Sequence, residues 1–200
     1  RFLAGIELAD HLDGIGNARK LLELAEYDVV LASVHCVQFE DWDDAYSRLN
    51  FDDSVPEEKI QEFLAVYFDK LLLTAQTQEY DVLTHLTCPL RYINGKYGKG
   101  LDWRELEGKI REILTYLIEH GIALEVNTSC LGTDYDALLP DEEILQMYLQ
   151  MGGHLLTLGS DAHKPENLGR GFAQAVQRLK AMQVEQLYYV KNRHFYAYKI

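Results

Sequence analysis

Residues 154–172 read HLLTLGSDAHKPENLGRGF. The first five are largely apolar. Gly159, Ser160, Asp161, Ala162 and His163 then combine turn formers with groups that bind cations. From Pro165 to residue 182 the spacing predicts a helix. A buried strand that empties into a polar loop and then a helix is the repeating unit of a parallel α/β fold. The pattern recurs upstream. Apolar runs at 2–8 (FLAGIEL), 29–37 (VVLASVHCV), 80–86 (YDVLTHL) and 122–126 (IALEV) precede amphipathic stretches at 17–27, 56–75, 103–120 and 141–151. Runs this apolar suit strands buried on both faces.

The strongest helix is 56–75, where Ile60, Phe63, Leu64, Tyr67, Phe68 and Leu71 share one stripe and Pro56 falls in the first turn. The 103–120 helix repeats the stripe with Leu106, Ile110, Ile113, Leu114 and Leu117, and Gly121 supplies a left-handed stop. Residues 187–200 alternate aromatic and polar and read as a closing strand or hairpin. Segments 38–55 and 90–102 carry no pattern, and the GKYGKG run at 95–100 reads as a flexible loop without phosphate-loop spacing. Both segments follow a strand, where α/β folds keep their chemistry.

The chain has 200 residues, 48% hydrophobic and 26% charged, which fits one globular domain rather than disorder. A formal net charge of −13 repels nucleic acid and anionic membranes, so neither is an expected partner. No apolar run approaches the roughly 18 residues of a transmembrane helix. Cys36, Cys88 and Cys130 form no CxxC pair, which reads as small buried hydrophobes in a reducing, cytoplasmic compartment. Residue 1 is Arg, with no signal-peptide layout, and the first residues already read as a core strand. The chain is therefore expected to begin inside a longer protein.

Position singles out the polar residues. Glu7 lies near the end of the first run, His35 in the second and His85 in the third. The fourth leads to Asn127, Thr128 and Ser129, and the fifth to Asp161 and His163. In a parallel sheet all these ends point to one face. One Glu, one Asp and three His there make a mixed ligand set for Zn, Mn or Fe. Singly, each has a plainer explanation: a hydrogen-bonded core histidine, or Asp161 as a helix cap. Glu7 resists one, because an acid inside FLAGIEL is expected to be buried and to need a partner or a cation. His11, His120, His154 and His194 lack this placement and read as structural or surface residues. Arg91 and Arg170 are candidate anion binders, because a guanidinium fork matches phosphate oxygens.

The segments GIEL, SVHCV, DVLTHLTCPLRYINGKYG, ALEVNTS and TLGSDAHKPENLGRGF resemble the histidinol-phosphatase branch of the PHP (polymerase and histidinol phosphatase) superfamily. The resemblance covers nearly the whole chain. It implies a distorted seven-stranded β/α, TIM-like barrel with up to three metals at the strand ends. It implies Glu7 as a metal-bridging carboxylate, His35 and His85 as ligands of a second metal, Asp161 of a first and His163 of a third. Arg91 then helps to hold phosphate. The implied reaction is hydrolysis of L-histidinol phosphate, a small-molecule phosphate ester, by a metal-bridging hydroxide, with Glu7, Asp161 and His163 as the catalytic set.

The chain departs from the family pattern in three places. The opening H-x-H motif is absent, so the first βα units are expected to lie outside this chain, and residues 1–200 form the C-terminal portion of a single PHP domain. Cys130-Leu131-Gly132 stands where the family has Gly and then a basic residue. Ala9 and Asp10 replace a small polar pair. The implied consequences are fewer metals, weak or no activity, and open barrel edges that invite a homodimer. Two alternatives remain at this point: action on another phosphate ester or a nucleotide, and a non-catalytic metal-binding remnant.

Overall fold

The computed structural model describes residues 2–77 and 79–200. Five strands form one parallel sheet in the order β1-β2-β3-β4-β5: Gly5–Ala9, Val29–Ser33, Val82–Leu83, Ala123–Asn127 and Leu156–Gly159. Between them run α1 (Ile15–Glu23), α2 (Glu57–Ala75), the short helix α3 (Cys88–Leu90), α4 (Glu107–His120) and α5 (Glu142–Gln150). Next come α6 (Phe172–Ala181) and an antiparallel hairpin, β6 (Gln186–Lys191) with β7 (His194–Lys199). The expected α/β class and the closing hairpin are present.

The core lies between the sheet and the helices. Ile60, Phe63, Tyr67, Phe68 and Leu71 of α2 are buried, as are Ile110, Ile113, Leu114 and Leu117 of α4. These are the predicted stripes, and the two helices pack against each other. Gly121 ends α4 with φ +65, as its position requires. The hairpin turns through Asn192 and Arg193, both at positive φ, which matches the twist of its strands. Its tip docks beneath the sheet, where Arg193 donates to the Asp81 carboxylate at 2.6 Å.

Several expected boundaries move, each for a local reason. The 29–37 run leaves the sheet after Ser33, because the Asp10 carboxylate accepts from the backbone N–H of His35 and Cys36 at 3.0 and 3.1 Å in place of a strand. The 80–86 run keeps two strand residues and then turns at His85, φ +27. The 165–182 helix is broken: a single turn at Pro165–Asn167 is followed by Gly169 and Gly171 at φ +71 and +77, and α6 begins only at Phe172. The 90–102 segment is half helical, with a wide turn at Arg91–Lys96 continuing α3. The burial of Glu7 is also corrected. β1 is the sheet edge, and the Glu7 side chain is 36% exposed at the mouth of a cavity.

Candidate metal centre

The strand ends share one offset. His35, His85, Ser129 and Asp161 each sit two residues past the last residue of β2, β3, β4 and β5. Parallel neighbours in register bring them to one rim, opposite the hairpin tip. There they line a cavity of about 580 Å³ with Glu7, Arg91 and His163. Segment 38–55 forms one wall. Edge-to-face packing of Trp42 on Phe51 and Phe63 anchors it, and Tyr46 backs His35 at 5.9 Å between ring centres.

Three predicted ligands converge. Glu7 Oε1 lies 3.6 Å from His35 Nε2 and 3.4 Å from His85 Nε2, and the two Nε2 atoms are 3.4 Å apart. Tetrahedral zinc with bonds near 2.0–2.1 Å sets its ligand atoms about 3.3–3.4 Å apart. The triangle is thus the size of one face of a zinc coordination shell. Two imidazole nitrogens aimed at one another with a carboxylate oxygen leave a point where a cation satisfies all three. The residues fit a metal. Among the described residues this is the group that brings three such ligand atoms together.

The electrostatics follow from the same contacts. Burial pushes the Glu7 carboxyl up, but contact with His85 and the charges of His85 and His35 outweigh it, bringing the pKa to about 2. Burial pushes His85 down, yet Glu7, with the charges of Glu125 and Asp161, leaves it above the ordinary histidine value. His35 is held below that value by burial and by the His85 charge.

Asp161 and His163 share the rim but stand outside the triangle. Asp161, at φ +50, faces Arg91 at 4.0 Å, and its charge raises both triangle histidines. His163 is 84% exposed and donates from Nδ1 to the Asp161 carbonyl at 2.9 Å, which leaves Nε2 as the free ring nitrogen. Arg91 is half-buried, lies over the Tyr92 ring and donates to Ser129 Oγ at 3.3 Å.

Two positioning residues escaped the sequence reading. Glu125 is buried in β4, and its Oε2 accepts from the His85 backbone N–H at 2.9 Å and from Asn127 Nδ2 at 3.1 Å. Burial raises its pKa, partly offset by His85 and Asn127. A Cβ at Gly159 would collide with its Oε1, so a glycine is needed there. The signal was available: an acid in IALEV is as anomalous as one in FLAGIEL. Asp10, which holds His35 by the backbone, gave no such signal from its type or spacing.

The PHP domain family model matches residues 1–129. The chain belongs to the PHP domain family. Its PHP relatives include a probable histidinol-phosphatase from Thermotoga maritima, 31% identical over 68% of this chain and 54% of that protein. A second probable histidinol-phosphatase, from Clostridium acetobutylicum, is 26% identical over 98% of this chain and 74% of that protein. The chain thus spans about half the length of the first relative and three quarters of the second. Among solved structures, histidinol phosphate phosphatase from Lactococcus lactis, crystallised with zinc, L-histidinol and phosphate, superposes with TM-score 0.71 at 21% identity. That superposition covers 96% of this chain and 70% of the other, and confirms the fold. No described helix is long and apolar enough to cross a membrane.

Proposed function

We propose that this PHP domain is a metal-dependent phosphomonoesterase whose substrate is L-histidinol phosphate. The observation that carries the reading is the Glu7–His35–His85 triangle, sized for one divalent cation and facing a cavity lined with arginine. The names of the relatives direct the choice of ester. A zinc, manganese or iron ion held there supplies Lewis acidity, acidifying water and neutralising phosphoryl charge. The chain's own groups do the rest. Glu7 stays ionised throughout the working range, so its ligand oxygen needs no deprotonation. Arg91 orients the phosphate from across the rim. Asp161 and His163 Nε2 would add ligands beside the triangle, with His163 Nδ1 held by the Asp161 carbonyl.

The described sheet then forms the C-terminal portion of a seven-stranded barrel within one PHP domain. Two features support this: β1 has no neighbour on its outer side among the described residues, and the first relative is nearly twice as long. The open β1 edge also favours a homodimer. The test is phosphate release from L-histidinol phosphate and from p-nitrophenyl phosphate by stripped and metal-reloaded protein, alongside elemental analysis. Metal-dependent release that prefers histidinol phosphate is expected. A metal-reloaded chain that releases no phosphate from either ester would overturn the reading.

A further inference from the structure

Arg170 is a cation that the reaction above leaves unused. It lines the same cavity as Arg91, on the far side of the turn that follows β4. Both guanidinium groups are held by that one turn: Arg91 Nη1 on Ser129 Oγ at 3.3 Å, and Arg170 Nη2 on the Gly132 carbonyl at 3.3 Å. The backbone that presents Arg170 is built for the purpose. Gly169 and Gly171 flank it in the left-handed region, and a Cβ at Gly171 would come within 3.0 Å of Thr128 and 3.1 Å of Leu131. Thr128 Oγ1 donates to the Arg170 carbonyl at 2.5 Å. The arginine is thereby pinned to the exit of β4, while most of its five donors stay uncommitted.

Its charge is also uncommitted. In a chain of net charge −13, Arg170 forms no ion pair among the described residues. Arg48, another cation lining the cavity, is paired with Asp44 at 2.9 Å. Lys164 lines it too, but no described contact fixes its ammonium group. An unpaired arginine, fixed at its backbone and open at its fork, suits recognition of an anion in the cavity.

We infer that Arg170 is the second anion-binding arm of the cavity, gripping the substrate's phosphate oxygens opposite Arg91 and setting affinity for the ester rather than the rate of the bond-breaking step. This rests on the reading of the cavity as a phosphate-ester site. No described hydrogen bond or ion pair joins Arg170 to a triangle residue, so its removal is expected to leave the metal site intact.

The experiment is calorimetric binding of inorganic phosphate to the metal-loaded protein, with steady-state kinetics on histidinol phosphate, for wild type, Arg170→Ala and Arg170→Lys. The alanine variant is expected to weaken phosphate binding and raise KM by about ten- to a hundredfold, with kcat within about threefold. The lysine variant is expected to fall between, keeping charge but losing the fork. Metal content and melting temperature are expected to match wild type. Unchanged phosphate affinity and KM in a folded Arg170→Ala overturns the inference and leaves the phosphatase reading standing. So does a loss confined to kcat, which marks support of the 128–132 turn instead. Wild type that binds phosphate but hydrolyses no ester overturns the phosphatase reading, and the variant's phosphate affinity then decides on Arg170 alone. Wild type that binds no phosphate overturns both.

Discussion

β1 and β4 each carry one glutamate in an apolar run, yet the pKa values of the two acids move in opposite directions. Glu7, in the edge strand, stands at the mouth of the cavity with its pKa brought to about 2. Glu125, in a strand whose five residues are all buried, has its pKa raised. The difference is position in the sheet. An edge strand exposes its side chains to a site, and two histidines supply the partners that keep the carboxylate charged. A strand flanked on both sides buries its acid, where one backbone N–H and one side-chain amide donate to it and it orients the chain. On the proposed metal site, one glutamate would hold the cation and the other holds the backbone of His85, a residue that would ligate it.

The largest effect expected from breaking this contrast is Glu7→Gln. The amide keeps the shape and removes the charge, and metal affinity is expected to fall by more than the roughly tenfold to hundredfold typical of outer partners. Metal titration followed by elemental analysis reads the loss, and wild-type metal content in the variant would falsify the ligand assignment. Glu125→Gln is the milder counterpart. It retains an acceptor for the His85 N–H but loses the charge, so a drop of about tenfold in metal affinity is expected without loss of the fold.

The pH dependence sharpens the comparison. On the proposed ligand set, metal binding would require neutral His85 and ionised Glu7. Glu7 is already ionised above about pH 2, so it sets no limit near neutrality. His85 holds its proton to a higher pH than an ordinary histidine. Metal affinity should therefore weaken as pH falls through and below that range, by about tenfold per unit for one displaced proton. Because the Glu125 charge helps to raise His85, Glu125→Gln is expected to move the midpoint to lower pH. A midpoint that stays put in a calorimetric pH series argues that Glu125 is uncharged beside His85.

The smallest effect concerns the space that admits Glu125. Gly159→Ala places a methyl group on the Glu125 carboxylate and should cost about 1–3 kcal/mol of stability, read as a lower urea midpoint with unchanged slope. Pairing it with Glu125→Ala should recover part of that loss, since the clash disappears with the side chain.

Much of this molecule was legible in its residues. The alternation of apolar runs and amphipathic stripes gave the strand and helix order, because burial on a sheet and on a helix leaves periods of about 2 and 3.6 in the chain. The five rim residues were legible too, since each lies near the end of an apolar run or just past it and parallel strands end on one face. The local backbone was not. His85 and Asp161 sit at positive φ, which their residue types do not announce, and Gly169 and Gly171 split a helix that spacing alone would continue. Asp10 replaces strand pairing with a side-chain bond across 25 residues, and that contact has no periodic trace.

By itself the sequence determined the α/β class, the order of elements and the candidate ligands at the strand ends, because these depend on hydrophobic period and on distance along the chain. Only the tertiary structure decided that Glu7, His35 and His85 meet within 3.6 Å, that Glu7 is exposed while Glu125 is buried, and that Arg170 shares a turn with Arg91. Those outcomes depend on which strand lies at the edge and on side-chain directions in space, and these emerge only when distant segments pack.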